Sequence, residues 1–177
     1  RKAFHLPEGF VAELVASEPQ IHKPLNLAFD DQGRLLVTDT VEYPYPVEKG
    51  KVGRDGVKVL SDFGPDGRAG KVTEFTSGLN IPIGVLPMSG GREALVHSIP
   101  HVYRISDTDG DGRADRKEPL YQTYGYRDTH GMTNNFTWGF DGWVYACHGF
   151  SNESTVQGSD RQAITMQSGN TYRMRAD

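Results

Sequence analysis

Five carboxylates fall within the twelve residues from Asp107 to Glu118. They occupy positions one, three, five, nine and twelve of this segment, and Gly112 occupies position six. This is the full pattern of a calcium loop, in which short Asp side chains at alternate positions surround one ion with oxygen atoms. A solvated acidic turn is the alternative, because Asp and Gly are also common turn residues. The predicted ligands are Asp107, Asp109, Asp111, the backbone carbonyl of Arg113, Asp115 and Glu118.

The segments on either side of this loop predict strands, whereas an EF-hand needs helices. Residues 102–105 are mostly β-branched or aromatic, and residues 120–124 also favour a strand. Pro119 would fall inside the exit helix, where its ring removes a hydrogen bond and clashes with the preceding turn. The segment 107–118 is therefore predicted to join two β-strands and to act as a metal staple, not as a calcium sensor.

An internal repeat relates this loop to an earlier part of the chain. Residues 57–71 align without gaps with residues 102–116. In the first copy Gly64, Gly70 and Thr73 stand where the second copy has three of its carboxylates. We therefore expect the first loop to be a structural turn that binds calcium weakly or not at all.

A second repeated unit, strand–turn–strand, predicts the fold class. It occurs at 27–39 and 136–148, with a looser copy at 85–98. Repeats of roughly 40–50 residues built from several short strands are typical of β-propeller blades. At about 45–50 residues per blade, residues 1–177 would form an all-β, partial propeller domain of three to four blades. We expect the remaining blades of a longer protein, or other copies, to complete the ring.

Composition supports a turn-rich β-protein and excludes other classes. The 177 residues include 21 Gly and 10 Pro, and the net charge of −4 gives no indication of nucleic-acid binding. No apolar run approaches the eighteen residues of a transmembrane helix. Cys147 is the only cysteine, which excludes an intrachain disulfide. The start at Arg1 suggests a processed, trimmed or fragmentary chain. Residues 8–17 favour a strand over a helix.

Several motifs together resemble one protein family. They are Phe4-His5-Leu6-Pro7-Glu8-Gly9-Phe10, Phe29-Asp30-Asp31-Gln32-Gly33-Arg34-Leu35, Asp107-Thr108-Asp109-Gly110-Asp111-Gly112 and Asp128-Thr129-His130-Gly131. In these motifs the chain resembles the N-terminal part of the membrane-bound dehydrogenases of planctomycetes and verrucomicrobia, a haem-binding family. The resemblance implies a six-bladed propeller similar to the quinoprotein glucose and sorbosone dehydrogenases. It also implies a cytochrome c domain as a partner, but Cys147-His148 lacks the second cysteine, so no haem site is expected in this chain.

The resemblance also suggests catalytic and cofactor residues. In the quinoprotein sugar dehydrogenases a catalytic His precedes a blade's strand pair, and His130 holds that place, with Asp128 two residues before it. A neutral imidazole would accept the hydroxyl proton of a sugar or alcohol while hydride passes to pyrroloquinoline quinone. Arg127 could pair with a carboxylate of this quinone, and His148 could contact the ligand from a strand end. Each residue also has a structural alternative, namely hydrogen bonds to nearby backbone or a surface ion pair.

Two functions from different classes remain open on the sequence. The first is the calcium-binding portion of a quinoprotein-like dehydrogenase that oxidises a sugar or an alcohol. The second is a calcium-stapled propeller without catalysis that binds carbohydrate or protein, for which residues 43–46 could form an aromatic rim. Hydrolysis at a central calcium ranks last, because no central carboxylate cluster is evident. We expect export to the periplasm or cell surface, where calcium is abundant enough to fill a loop of modest affinity.

Overall fold

The computed structural model describes residues 4–158 and 161–177. Within these ranges the chain forms thirteen β-strands and one 3₁₀ turn, Thr129–Gly131. The strands are β1 (Lys23–Phe29), β2 (Leu35–Thr40), β3 (Asp55–Phe63), β4 (Ala69–Leu79), β5 (Gly84–Pro87), β6 (Glu93–Ser98), β7 (His101–Ser106), β8 (Arg116–Tyr121), β9 (Asn134–Trp138), β10 (Val144–His148), β11 (Ser154–Gln157), β12 (Ala163–Met166) and β13 (Asn170–Met174). The predicted all-β class is confirmed.

The strands build four antiparallel sheets, three of which are meanders that repeat along the chain. Blade one is β1-β2-β3-β4, blade two is β5-β6-β7-β8, and blade three is β9-β10-β13. The β11–β12 hairpin lies between β10 and β13 along the chain and forms a two-stranded sheet of its own. The first strand of blade two, β5, contacts both β1 of blade one and β9 of blade three. Sheets arranged in this way around their first strands are propeller blades.

Because neighbouring strands are antiparallel, successive connections lie alternately at two opposite edges of the sheets. The short β1–β2, β3–β4, β5–β6, β7–β8 and β9–β10 connections share one edge of the sheets, here called the turn face. The opposite edge, here called the site face, carries residues 41–54, 80–83, 99–100, 122–133, 149–153 and 167–169. The calcium-loop motif at 107–118, here called the acidic loop, therefore lies on the turn face, and His130 lies on the site face.

Alternating apolar side chains fill the gaps between blades, as expected for sheets that are covered on both sides. Between blades one and two the buried residues are Leu36, Val57, Val59, Phe75, Leu79, Val85, Ala94, Val96 and Ile105. Blades two and three bury a further cluster that contains Leu95, Val102, Phe136 and Val144. At Gly84 a Cβ would lie 3.0 Å from the ring of Phe136, so the missing side chain lets blade three approach β5.

The segment that precedes β1 runs along the outer side of blade one. Its side chains Val15, Ala16 and Ile21 pack against the buried cluster of that side, which consists of Leu35, Val37 and Leu60. Residues 8–17 contain neither helix nor paired strand, apart from a turn at residues 8–9. The strand predicted over residues 8–17 is therefore not formed with any of the described residues.

Candidate functional site

The acidic loop connects β7 to β8 on the turn face. Carboxylate oxygens of Asp107, Asp109 and Asp111 all lie within 4.8 Å of one another. Asp107 is only 6% exposed, whereas the other two side chains face solvent. Three converging carboxylates, one of them buried, are the hard oxygen ligands that Ca²⁺ prefers.

Asp107 also fixes the shape of the loop. Its two carboxylate oxygens accept hydrogen bonds from the backbone amides of Gly110 at 2.6 Å and Gly112 at 3.0 Å. Gly112 has φ of 90°, in the left-handed region that glycine adopts without strain, as its place at the sharp turn requires. Each carboxylate oxygen keeps a second lone pair, so the same group can hold the turn and coordinate an ion.

The other two predicted carboxylate ligands lie outside this group of three. Asp115 accepts hydrogen bonds from Thr108, at 2.6 Å from Oγ1 and 3.1 Å from the backbone amide, and these bonds lower the pKa of Asp115. Glu118 is part of β8 and pairs with Arg116 at 2.7 Å. The ligand roles of Asp115, Glu118 and the Arg113 carbonyl therefore stay predictions.

A cleft of about 820 Å³ lies on the site face. It brings together three residues that were predicted as catalytic or cofactor-binding and the proline-flanked loop that follows β2. Its lining consists of Pro44, Tyr45, Pro46, Tyr126, Arg127, Asp128, Thr129, His130 and Ser151.

His130 and Asp128 form a hydrogen-bonded pair in this cleft. His130 Nδ1 lies 3.0 Å from Asp128 Oδ1, which also accepts the backbone amide of His130 at 2.9 Å. The backbone bond and, after it, the ring contact lower the pKa of Asp128. An ionised Asp128 favours the tautomer with the proton on Nδ1, which leaves Nε2 free to accept a proton. The His130 side chain is 62% exposed, so Nε2 can be reached from the cleft.

Asn152 holds the backbone of Asp128 in place, a role that no pattern in the sequence indicates. Its side-chain amide donates to the Asp128 carbonyl at 2.8 Å, and its side-chain oxygen accepts the Asp128 amide at 3.0 Å. Asn152 is buried, so loss of these two hydrogen bonds would leave polar groups without water nearby. The residue begins an N-x-S sequon, and its burial makes it a structural group here.

Close backbone contacts join the same two segments. A Cβ on Gly131 would lie 2.3 Å from the carbonyl oxygen of Phe150, and one on Gly149 would lie 2.7 Å from Gly131 Cα. A Cβ on Gly125 would likewise lie 2.3 Å from the Glu153 carbonyl oxygen. Only glycine allows backbones to approach so closely, so these contacts fix the base of the His130 turn.

The wall of the cleft that comes from blade one is anchored separately. Thr129 Oγ1 donates to the Pro44 carbonyl at 2.9 Å, and the rings of Tyr43 and His130 meet edge to face at 5.4 Å. Asp55 is buried and accepts hydrogen bonds from Thr40, Val41, Glu42 and Ile81. This carboxylate ties the start of the proline-flanked loop to the connection between blades one and two.

Arg127 and His148, both predicted to bind a cofactor, have contrasting surroundings. Arg127 is exposed in the cleft and makes no hydrogen bond or ion pair with any residue of 4–158 or 161–177. His148 is buried, its Nε2 lies 2.7 Å from Ser154 Oγ, and burial lowers its pKa. His148 does not line the cleft, so its role as a ligand contact stays a prediction.

Comparison with solved structures defines the class of protein. A luciferin-regenerating enzyme gives a TM-score of 0.52 at 13% identity, with 84% of this chain and 45% of that chain covered. The calcium and iodide structures of the Trichoderma reesei carbohydrate-active enzyme of family AA12 each give a TM-score of 0.50. Their identities are 15% and 16%, and they cover 78% and 84% of this chain and 32% and 37% of those chains, respectively. At such identities the likeness shows the fold alone, which is that of a β-propeller.

The chain thus spans between a third and a half of the length of these propellers. All of residues 1–177 match the family described as a domain of unknown function, DUF7133, and the chain belongs to that family. A comparison with curated protein sequences found no match. Across the part of the chain that the structure describes, no helix has the length and apolar character that a bilayer crossing requires.

Proposed function

We propose that this chain is the calcium-binding part of a β-propeller dehydrogenase that oxidises a sugar or an alcohol. The observation that carries the proposal is the Asp128–His130 pair, with Nδ1 and Oδ1 3.0 Å apart at the edge of an 820 Å³ cleft. The motifs shared with the membrane-bound dehydrogenases of planctomycetes and verrucomicrobia support the same reaction. The other blades, and a cytochrome c domain as electron acceptor, would come from outside this chain.

In this proposal His130 is the general base. Its Nε2 accepts the proton of the substrate hydroxyl, and the carbon-bound hydrogen leaves as hydride, so the alcohol becomes a carbonyl. Asp128 keeps the ring oriented and stabilises the imidazolium that forms. A positioned base of this kind contributes on the order of 10²–10⁴ in rate.

The cleft fits one part of the proposed cofactor. Pyrroloquinoline quinone, when bound, would supply the acceptor for the hydride. Arg127 offers an unpaired guanidinium, which can bind one carboxylate in bidentate fashion. The neighbouring Asp128 has the opposite charge, so most contacts to a tricarboxylate would have to come from blades outside this chain.

The proposed calcium has a structural role. The acidic loop lies on the face opposite to the cleft, so an ion held by Asp107, Asp109 and Asp111 would staple blade two and would not activate the substrate. A rigid loop of modest affinity is filled at extracellular calcium concentrations, which supports export to the periplasm or cell surface.

The proposal is tested by dye-linked oxidation of sugars and alcohols with the complete natural protein, Ca²⁺ and the quinone. His130→Gln should lower kcat by roughly 10²–10⁴, as expected for loss of a general base. His22→Gln is the matched control, because His22 Nδ1 also lies close to a carboxylate, 2.8 Å from Asp39 Oδ2, but outside the cleft. A wild-type protein that binds calcium normally and oxidises no sugar or alcohol would refute the dehydrogenase.

The second candidate is a calcium-stapled propeller that binds carbohydrate without catalysis. It is favoured by Tyr45, which is 79% exposed between two prolines of the cleft, and by the unpaired Arg127 beside it. An exposed ring next to hydrogen-bonding groups is suited to a sugar surface. Calorimetric binding of a sugar, weakened by Tyr45→Ala and not followed by oxidation, would select this function.

A further inference from the structure

A backbone hydrogen bond between blades one and two has an equivalent on the face of blade one that points away from blade two. The backbone amide of Ala114 donates to the Phe75 carbonyl at 2.7 Å, which joins the acidic loop of blade two to β4 of blade one. The amide of Ala69, the equivalent residue of the internal repeat, donates to the Val15 carbonyl at 2.9 Å. Val15 thus takes the position, relative to blade one, that Phe75 takes relative to blade two.

The spacing along the chain supports this equivalence. Phe75 lies nine residues before the start of β5, and Val15 lies eight residues before the start of β1. Phe75 belongs to β4, the outermost strand of blade one. The segment around Val15 therefore lies where the outermost strand of a preceding blade would lie.

Side-chain packing shows the same correspondence. Val37 and Leu60 of blade one are equivalent to Val96 and Ile105 of blade two, and all four are buried. The pair in blade two is covered by a whole neighbouring sheet, whereas the pair in blade one is covered by Val15, Ala16 and Ile21. One extended segment thus takes the place of a sheet.

The part that this segment cannot cover is exposed. Leu27 of β1 is 59% exposed, whereas Val85, at the equivalent position of β5, is 1% exposed. Phe29, also in β1, is 65% exposed. On this face of blade one, β2 and β3 are therefore covered by the segment around Val15, whereas β1 is uncovered. This is the pattern expected if the outermost strand of a neighbouring blade is present and its three inner strands are missing.

We infer that residues 10–17 are the outermost strand of a further blade, whose three inner strands come from another part of the same polypeptide and pack against β1. In residues 11–16 only the Val15 carbonyl makes a backbone hydrogen bond to a described residue, so the other backbone groups can pair with the edge of a three-stranded antiparallel sheet. Phe10 and Val11 are 70% and 80% exposed and would pack on that sheet. Residues 10–17 would then help to close the ring, and this inference does not depend on the proposed dehydrogenase.

Hydrogen exchange on the complete natural protein with Ca²⁺ tests the inference without any variant. Amides in residues 10–17 that bond to the neighbouring strand should exchange at least about a hundredfold more slowly than in an unstructured peptide of the same sequence. Free exchange throughout this segment would overturn the inference.

Deletion and complementation give a second test. Deleting residues 4–17 should lower the melting temperature, and a synthetic peptide of residues 4–21 should restore it. The same peptide with Val15→Asp is the matched control, because it places a charge in the buried contact with Leu35 and Val37. A deletion with no effect on melting, or one that converts a dimer into a monomer, would contradict a strand contributed within one polypeptide.

Discussion

The two faces of this molecule carry candidate sites that are built in different ways. On the turn face, the side-chain hydrogen bonds of Asp107, Asp109, Asp111 and Asp115 are all made within the loop between β7 and β8. On the site face, the cleft combines residues 44–46, 126–130 and 151, which come from three separate connections. A site formed by one short segment is determined by local chemistry, whereas a site formed by several segments depends on the whole arrangement of blades.

A finer comparison exists within the turn face, between the acidic loop and its copy at 62–73. Gly67 and Gly112 both adopt positive φ, 79° and 90°, so the same sharp turn is kept. In the copy the ladder of the hairpin continues, with Phe63 paired to Ala69, and the Gly64 amide donates to the Arg68 carbonyl at 2.8 Å. Residues 64–68 of the copy therefore form a closed turn, in which backbone hydrogen bonds take the place of those that the buried Asp107 carboxylate makes in the acidic loop.

Replacing Asp107 should have the largest effect on stability near neutral pH and would test whether the acidic loop is a structural staple. Asp107→Ala leaves the amides of Gly110 and Gly112 without their acceptor and removes a calcium ligand. We expect a loss of about 3 kcal/mol in the free energy of unfolding, measured by urea denaturation with Ca²⁺ present. A loss below about 1 kcal/mol would show that the loop is dispensable.

Calcium withdrawal should have the next largest effect. If the ion is present at a hundred times its dissociation constant, chelation should cost about 2.7 kcal/mol of stability. Asp107→Ala serves as the control, because a variant without the site should not respond to the chelator. Equal responses of variant and wild type would place the ion elsewhere.

Lowering the pH should reduce the free energy of unfolding through His97. This residue lies in β6, is fully buried beside Tyr124 and near His101, and neither ring nitrogen has a partner among the described residues. Burial lowers its pKa from 6.5 to about 3. Its neutral form is thus favoured by folding, and the contribution is complete above about pH 6.5 and is lost as the pH falls towards 3.

The expected slope for His97 is up to about 1.4 kcal/mol per pH unit across that window. Urea denaturation of wild type and His97→Phe at several pH values measures it, with calcium kept saturating. The variant should lose this part of the slope, and His22→Gln should keep it because His22 is about half exposed. Parallel pH profiles for wild type and His97→Phe would contradict the assignment.

Removing Asn152 should have a smaller effect on stability, confined to the cleft. Asn152→Ala leaves the amide of Asp128 unpaired and removes one of the two donors to its carbonyl, which keeps the Gly131 amide at 3.2 Å, and this should cost about 1–2 kcal/mol. Hydrogen exchange should show faster opening of residues 126–131 and an unchanged acidic loop. Asn170→Ala, at an exposed asparagine of the same blade, is the control and should change stability by no more than about 0.5 kcal/mol.

The smallest effect is expected in the eroded copy. Asp62 is exposed, so Asp62→Ala should cost no more than about 1 kcal/mol, chiefly because its φ of 56° suits Asp better than Ala, although Asp107→Ala removes the same carboxylate from the equivalent position. Restoring the lost carboxylates with Gly64→Asp and Gly70→Asp should not create a second calcium site. A Cβ on Gly70 would lie 2.6 Å from the Asp62 carbonyl oxygen, so the closed turn cannot accommodate it. A second bound calcium would refute this explanation.

The sequence predicted the strands and the acidic loop well because both depend on short-range patterns. Pro119 and the β-branched residues before Asp107 excluded an EF-hand, and the structure places β7 and β8 there. Glu118 was harder to place, because its position in the motif could not show that β8 would begin at Arg116 and pair the two side chains.

The cleft was predicted only in part. His130, Asp128 and Arg127 could be named from one segment, but the structural role of Asn152 was not foreseen, because its partner lies 24 residues earlier and only the fold brings them together. Gly131 and Gly149 could have suggested a close backbone contact, but nothing in a single sequence pairs one glycine with another. The burial of His97 could not be predicted either, because it follows from the packing of Tyr124 and blade three on blade two.

The hydrogen bond from Thr129 to the Pro44 carbonyl also has a kinetic consequence. It joins residues 85 positions apart, so the cleft closes only after blades one and two have been synthesised and docked. Closing a segment of that length costs roughly 2 kcal/mol more chain entropy than closing the twelve residues of the acidic loop. The acidic loop can therefore form early, as a local event, whereas the cleft is among the last parts of the molecule to fold.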